Sequence, residues 1–253
     1  MSGSAAPLVG LGRALRAQAL VAVGDLPLAG TCVAAIVLSA SIGTSVPGDL
    51  VAAPDAAKEA IAAALSTVIA VYSAVMAAIY GSFRYTIDRR GGVVAHRATL
   101  QPRRWGLAAR IPSTALGGAL VGVASLVGGR AAVVVALGAR GLEPATVGTV
   151  AVVGAAAAVW GLSAGLLVQA HLPSLFVAPL SLSAPLLIAP LWPAVAAWFP
   201  LPTLLRAASF DLTPLGIGAA VGPAAGAAVA LAVAWGVLLL AAGAVSFLRR
   251  DLR

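Results

Sequence analysis

Few side chains in this sequence can do chemistry, and most of them stand together. Between Phe83 and Arg110 lie seven arginines (Arg84, Arg89, Arg90, Arg97, Arg103, Arg104 and Arg110) out of sixteen Lys and Arg in 253 residues. Guanidinium groups present forked N–H donors to carboxylates and phosphates. The chemistry on offer is therefore docking onto a cytoplasmic partner, not bond making. His96 and His171 are the only histidines and Cys32 the only cysteine, and there is no HExxH or Cys/His cluster. No metal site and no catalytic residue are expected. No internal disulfide can form, and Cys32 falls within an apolar stretch, where it reads as a small packing residue. A GxxxxGK[ST] phosphate loop is also missing, so any ATP this protein uses is bound by another chain.

The composition says what holds the arginines. Hydrophobic residues make up 61% and charged residues 9%, with a mean hydropathy of +1.03. Soluble domains carry about 25% charged residues. This chain cannot cover a water-facing surface and reads as an integral membrane protein. Its net charge of +8 could suggest nucleic acid. The arginines bracket apolar runs, however, and no aromatics interleave them for base stacking, so no nucleic-acid partner is expected.

The fold class expected is an all-α membrane protein with a single transmembrane domain over 1–253. Residues 1–7 read as disordered. Residues 8–26 form an amphipathic helix lying on the membrane, with Leu8, Leu11, Leu15, Ala19, Ala22 and Leu26 on one face and Arg13 and Arg16 opposite. Gln18 and Leu20 interrupt that pattern, and Pro27 ends or bends the helix. A signal peptide cleaved near Ser39-Ala40-Ser41 is the alternative; late arginines and the many further spans argue against it. Six spans follow at about 28–44, 60–81, 111–137, 146–169, 174–191 and 218–247. Arg140, Gly141 and Glu143-Pro144 mark one turn, and His171-Leu172-Pro173 a very short loop.

Within the basic segment 82–110, Gly91-Gly92 offers a break, Val93–Leu100 a short helix and Pro102 a stop. Six spans put both termini on one side. The N-terminus, the 82–110 loop and the tail hold twelve basic residues, against four on the other side: Lys58, Arg130, Arg140 and Arg206. The positive-inside rule then places both termini in the cytoplasm.

Other features carry two readings each. Arg130, in the outer part of span 3, either snorkels to the headgroups or faces a substrate path. Residues 192–217 are apolar but broken by Pro193, Pro200, Pro202 and Pro214. They are either a surface loop anchored by Trp192, Trp198 and Phe199, or a pair of short re-entrant helices capping a pathway, with Arg206 nearby. The basic loop is either a topology signal or a docking element. GxxxG occurs four times, at Gly118/Gly122, Gly161/Gly165, Gly218/Gly222 and Gly222/Gly226. Among so many glycines it carries little weight, and no special role is expected of these positions. No run of acidic residues crosses the membrane, which argues against an ion-coupled pump.

Asp88-Arg89-Arg90-Gly91-Gly92, then Arg97, then Pro102-Arg103-Arg104 resembles the pattern after span 2 in the membrane subunits of ABC-2 type transporters. That pattern is an acidic residue, a basic residue, a glycine, an arginine or leucine-rich turn, and a proline with basic residues. Here Asp88 stands where Glu is commoner, and Gly92 where a small polar residue often follows. The resemblance runs over nearly the whole chain: interface helix, six spans, an apolar segment before span 6, and the tail Phe247-Leu248-Arg249-Arg250-Asp251-Leu252.

The resemblance implies a permease subunit of an ATP-driven exporter in the plasma (cytoplasmic) membrane. It implies as partners two ABC ATPase subunits, which hold the ATP and Mg, and a second permease, identical or homologous, among membrane lipids. The implied coupling residues are Asp88, Arg89, Arg90, Gly91, Val93, Val94, Arg97, Leu100, Pro102, Arg103 and Arg104. Few aromatics lie in the spans to stack on sugars, so a lipophilic drug or lipid is the expected cargo. The alternatives are a polysaccharide or glycolipid exporter, or a non-transporting scaffold that anchors a partner at the basic loop.

Overall fold

A computed structural model describes residues 5–47, 50, 52–138 and 144–249. Every element among them is helical. An apolar chain in lipid satisfies its backbone groups within each segment, and Ala-rich sequence favours the helix. The helices are α1 (Ala5–Val23), α2 (Leu26–Ala40), α3 (Asp55–Arg90), α4 (Val93–Leu100), α5 (Arg103–Leu137), α6 (Pro144–Val168), α7 (His171–Ile188), α8 (Pro193–Ala196), α9 (Pro200–Ala207) and α10 (Ala225–Arg249).

Five of them, α3, α5, α6, α7 and α10, are long and apolar enough to cross a membrane, and the bent pair α1–α2 makes a sixth crossing if it counts as one span. The pair bends by 55° between Val23 and Leu26. By itself α2 has 15 residues, about 22 Å, short of the roughly 30 Å hydrocarbon layer. A 3-10 turn over Ser41–Ser45 follows it directly and adds about 10 Å.

Several boundaries differ from the sequence reading, the largest because hydropathy stops where charge begins but the helix does not. Segment 82–110 is not a loop. Helix α3 continues to Arg90 and α5 starts at Arg103, so only the short α4 and its two turns lie between them. Likewise His171 is the first residue of α7 rather than part of a loop. The last span begins at Ala225, not at 218, because Gly222 takes a positive φ of 101° and Pro223 follows it. Ala5–Pro7, expected to be disordered, begin α1. The Arg140–Glu143 turn and the tail beyond Arg249 lie outside the described residues.

The centre of the bundle is α3, α5 and α6, and α6 is the most enclosed of the five long helices. Their backbones nearly touch. A Cβ on Gly81 of α3 would collide with the Ala158 carbonyl of α6, and one on Gly154 of α6 with the Gly118 carbonyl of α5. Two of the four GxxxG pairs, Gly118/Gly122 and Gly161/Gly165, therefore do sit at helix crossings, contrary to the expectation that none is special. The other two lie in or beside the 218–224 turn. Helix α10 is the barest of the five.

Between α7 and α10, Trp192 caps α8 and Phe199 caps α9. The pair of short helices leads into a 3-10 turn at Thr213–Leu215. Leu201, Leu205, Leu212 and Ile217 are fully or almost fully buried. Thr67 Oγ1 of α3 donates to the Asp211 carbonyl at 2.8 Å. Trp192 and Trp198 stay exposed, while Phe199 stacks on Trp235 of α10 at 6.5 Å.

Candidate functional site: the basic end of the bundle

The arginine-rich segment forms a helix–turn–helix–turn–helix at one end of the bundle. Gly91 N–H bonds back to the Ile87 carbonyl and Gly92 N–H to that of Arg89. Gly92 takes the left-handed φ of 71° that a side chain resists, and the chain turns into α4. After the eight residues of α4, Gln101 is extended and Pro102 caps α5. The helix expected at Val93–Leu100 is present with those bounds.

The segment is held rigidly to its own chain. Val94 is buried with Tyr85, Leu107, Leu162, Leu166 and Phe247, so it faces the bundle and cannot meet a partner as proposed from sequence. Asp88 Oδ2 accepts from Arg110 Nη2 at 2.6 Å. This pairs the end of α3 with α5, and the Arg110 guanidinium lies over the Tyr85 ring at 5.5 Å. Arg89 donates to Gln169, whose amide reaches Ser246 Oγ of α10 at 3.4 Å. Thr86 Oγ1 meets His171 Nδ1 at 2.8 Å.

A second ion pair lies behind the first. Arg84 Nε is 3.3 Å from Asp25 Oδ2, with side chains 6% and 4% exposed. Its Nη1 donates to Tyr80 Oη at 3.1 Å and its Nη2 to Gln18 Oε1 at 3.2 Å. Tyr80 in turn donates to Asp25 at 3.2 Å, and Asp25 Oδ1 accepts from Leu28 N–H at 3.1 Å to cap α2. One carboxylate thus fixes the α1–α2 bend and anchors it to α3. The sequence reading marks no role for Asp25, and Gln18 stands in it as a break in the apolar face of α1. The available signal for Asp25 was an Asp two residues before a proline at a helix start. Gln18 and Ala14 are in fact the buried side of α1, while Arg13, Leu15 and Arg16 are exposed and Leu11 is half-buried.

What remains outward at this end is Arg90, Gly91, His96, Leu100, Pro102 and Arg104, with Leu100 73% exposed. Arg104 lies over the Trp105 ring at 5.2 Å. Val93, Arg97 and Arg103 are half-buried. A small cleft of about 30 Å³ opens between α1, α4, α5 and the end of α10, lined by Arg97, Arg103 and Arg110 among others.

The other singled-out residues do not join this site. Arg130 is half-buried near the far end of α5, with its Nε enclosed and unbonded. Arg206 clamps the 218–223 turn by donating to the carbonyls of Pro223 at 3.2 Å and Gly218 at 3.4 Å. Beside α9, a larger apolar groove of about 530 Å³ runs between α5, α6, α9 and α10, lined by Val152, Val159, Leu204, Val233, Val237 and Leu240 with small residues between. Among the described residues no charged one lines it, and no signal in the sequence marks it.

No family model, curated protein or solved structure matches the chain. The long apolar helices make it a multi-pass membrane protein.

Proposed function

We propose that this chain is the permease subunit of an ATP-driven exporter of the ABC-2 type, with its basic end in the cytoplasm and ATP bound on partner ATPases. The observation that carries the reading is α4. It stands across the ends of α3 and α5, fastened to the bundle by Val94, while the Asp88–Arg110 pair ties α3 to α5, and Arg90, His96, Leu100 and Arg104 face outward around it. Helices α3 and α5 have 36 and 35 residues, so each runs about 50 Å. A push on α4 would be carried along two stiff levers through the bundle. A basic loop that served only to set topology would need no such fastening.

Two further features support the reading. The hydrogen bond from Thr67 to Asp211 holds segment 192–217 against α3 two turns below its first apolar residues, as a re-entrant cap would be held. The apolar groove suits a lipophilic cargo or an acyl chain, and the bare face of α10 suits lipid or a second permease. The test is co-purification with an ATPase partner and stimulation of its ATP hydrolysis by lipophilic compounds. An isolated chain that never recruits an ATPase would favour the scaffold reading.

A further inference from the structure

Arg97 Nη1 and Arg110 Nη1 are both buried and without a hydrogen-bond partner, and both residues line the small cleft beside α4. Arg110 spends its other terminal nitrogen on Asp88. Arg97 and Arg84 lie close enough to repel its charge. Among the described residues no carboxylate lines the cleft, and Asp88 is paired with Arg110. A buried donor left unbonded is costly, and a buried charge more so. Two buried guanidinium nitrogens there are left for an anion to meet.

The anion is a small one, held in an amphiphilic setting. About 30 Å³ is room for roughly two water-sized groups, which matches the entering oxygens of one phosphate. Val94, Ala98 and Phe247 add apolar lining beside the arginines. Exposed apolar residues lie on two of the helices that form the cleft, Leu15 and Leu20 on α1 and Leu248 on α10. We infer that this cleft binds the phosphate of a membrane phospholipid, with Arg97 and Arg110 as its donors and the acyl chains running out along α1 and α10. Arg97 is thereby a lipid-binding residue rather than a docking charge.

The experiment uses the purified full chain in detergent and native mass spectrometry. Three probes separate the sources: phosphatidylglycerol, the matching diacylglycerol without phosphate, and glycerol 3-phosphate without acyl chains. Phosphatidylglycerol should bind, the other two weakly or not at all. Arg97→Gln should weaken phosphatidylglycerol binding about tenfold or more, the effect of removing a charged donor. Arg97→Lys should retain part of it. Arg104→Gln, outside the cleft, should bind like the parent. Unchanged binding by Arg97→Gln would overturn the site. So would equal loss in Arg104→Gln, or equal binding of diacylglycerol. Equally tight glycerol 3-phosphate would overturn the lipid assignment in favour of a soluble phosphate. None of these readouts involves an ATPase, so they stand apart from the proposed function.

Discussion

Arg84 and Asp25 sit 3.3 Å apart with both side chains almost fully enclosed, joining the bend between the first two helices to the middle of the bundle. Removing one member leaves the other charged, buried and alone, which costs about 3–5 kcal/mol. Asp25→Asn should therefore lower the unfolding midpoint in detergent sharply, while its amide oxygen can still cap α2. Replacing both, as Asp25→Asn with Arg84→Met, should recover much of the loss. If the single and double variants melt alike, the pair is not coupled.

The helix crossings make a cheaper test of the packing. Gly81→Ala puts a methyl into the Ala158 carbonyl, and overpacking of that kind costs about 1–3 kcal/mol. Gly236→Ala meets nothing within 4 Å and should be neutral or slightly stabilising, since Ala is the better helix former. Equal melting temperatures for the two variants would mean that α3 and α6 do not approach this closely.

Much of this architecture was legible in the sequence, because apolar runs, Gly91-Gly92 and Pro102 act locally. Each states where a helix must start or stop without reference to the rest of the chain. The extents of α3 and α5 were less legible. Arg84 and Arg110 look like loop residues by charge, yet each is buried inside a helix because a partner removes the penalty. Those partners, Asp25 and Asp88, are 59 and 22 positions away. Nothing local marks Asp25 as the mate of Arg84, or Gly154 as the mate of Gly118. Pairing is a property of the fold, and composition does not encode it.

Orientation is open to chemical labelling. Asp55 is exposed at one end of α3 and His96 in α4 beyond the other. In a Cys32→Ala background, cysteines at these two positions should label from opposite faces of the membrane. Position 55 should react in intact cells, and position 96 only after permeabilisation. Reaction of both from outside would contradict the positive-inside assignment.

Asp211 gives a pH signature. Its Oδ1 accepts from Thr213 N–H at 3.0 Å and Oγ1 at 2.7 Å, and these bonds hold its carboxyl below the usual value of 3.8. A depressed folded pKa contributes stability that is present above the unfolded value and is lost as pH falls through the folded one. Asp211→Asn should therefore differ from the parent near neutral pH and converge with it in strong acid. The effect should be small, because the group is exposed. A difference that grows as pH falls would contradict the turn.

The docking proposal now rests on the outward residues of α4 and its turns, and two substitutions two turns apart discriminate it from a folding defect. Leu100 is exposed and belongs to none of the buried clusters, whereas Val94 is buried with Tyr85 and Phe247. An apolar anchor at an interface is worth about 2 kcal/mol or more, which is over tenfold in affinity. Leu100→Asp should leave expression and melting temperature unchanged and lose the ATPase on purification. Arg90→Glu and Arg104→Glu should act in the same direction by reversing charge at the rim, with effects that shrink at high salt. Val94→Asp should instead destabilise the chain itself, with or without a partner present. If Leu100→Asp keeps a full complement of ATPase and full export, α4 is not the docking element, and the arginines around it serve topology and lipid alone.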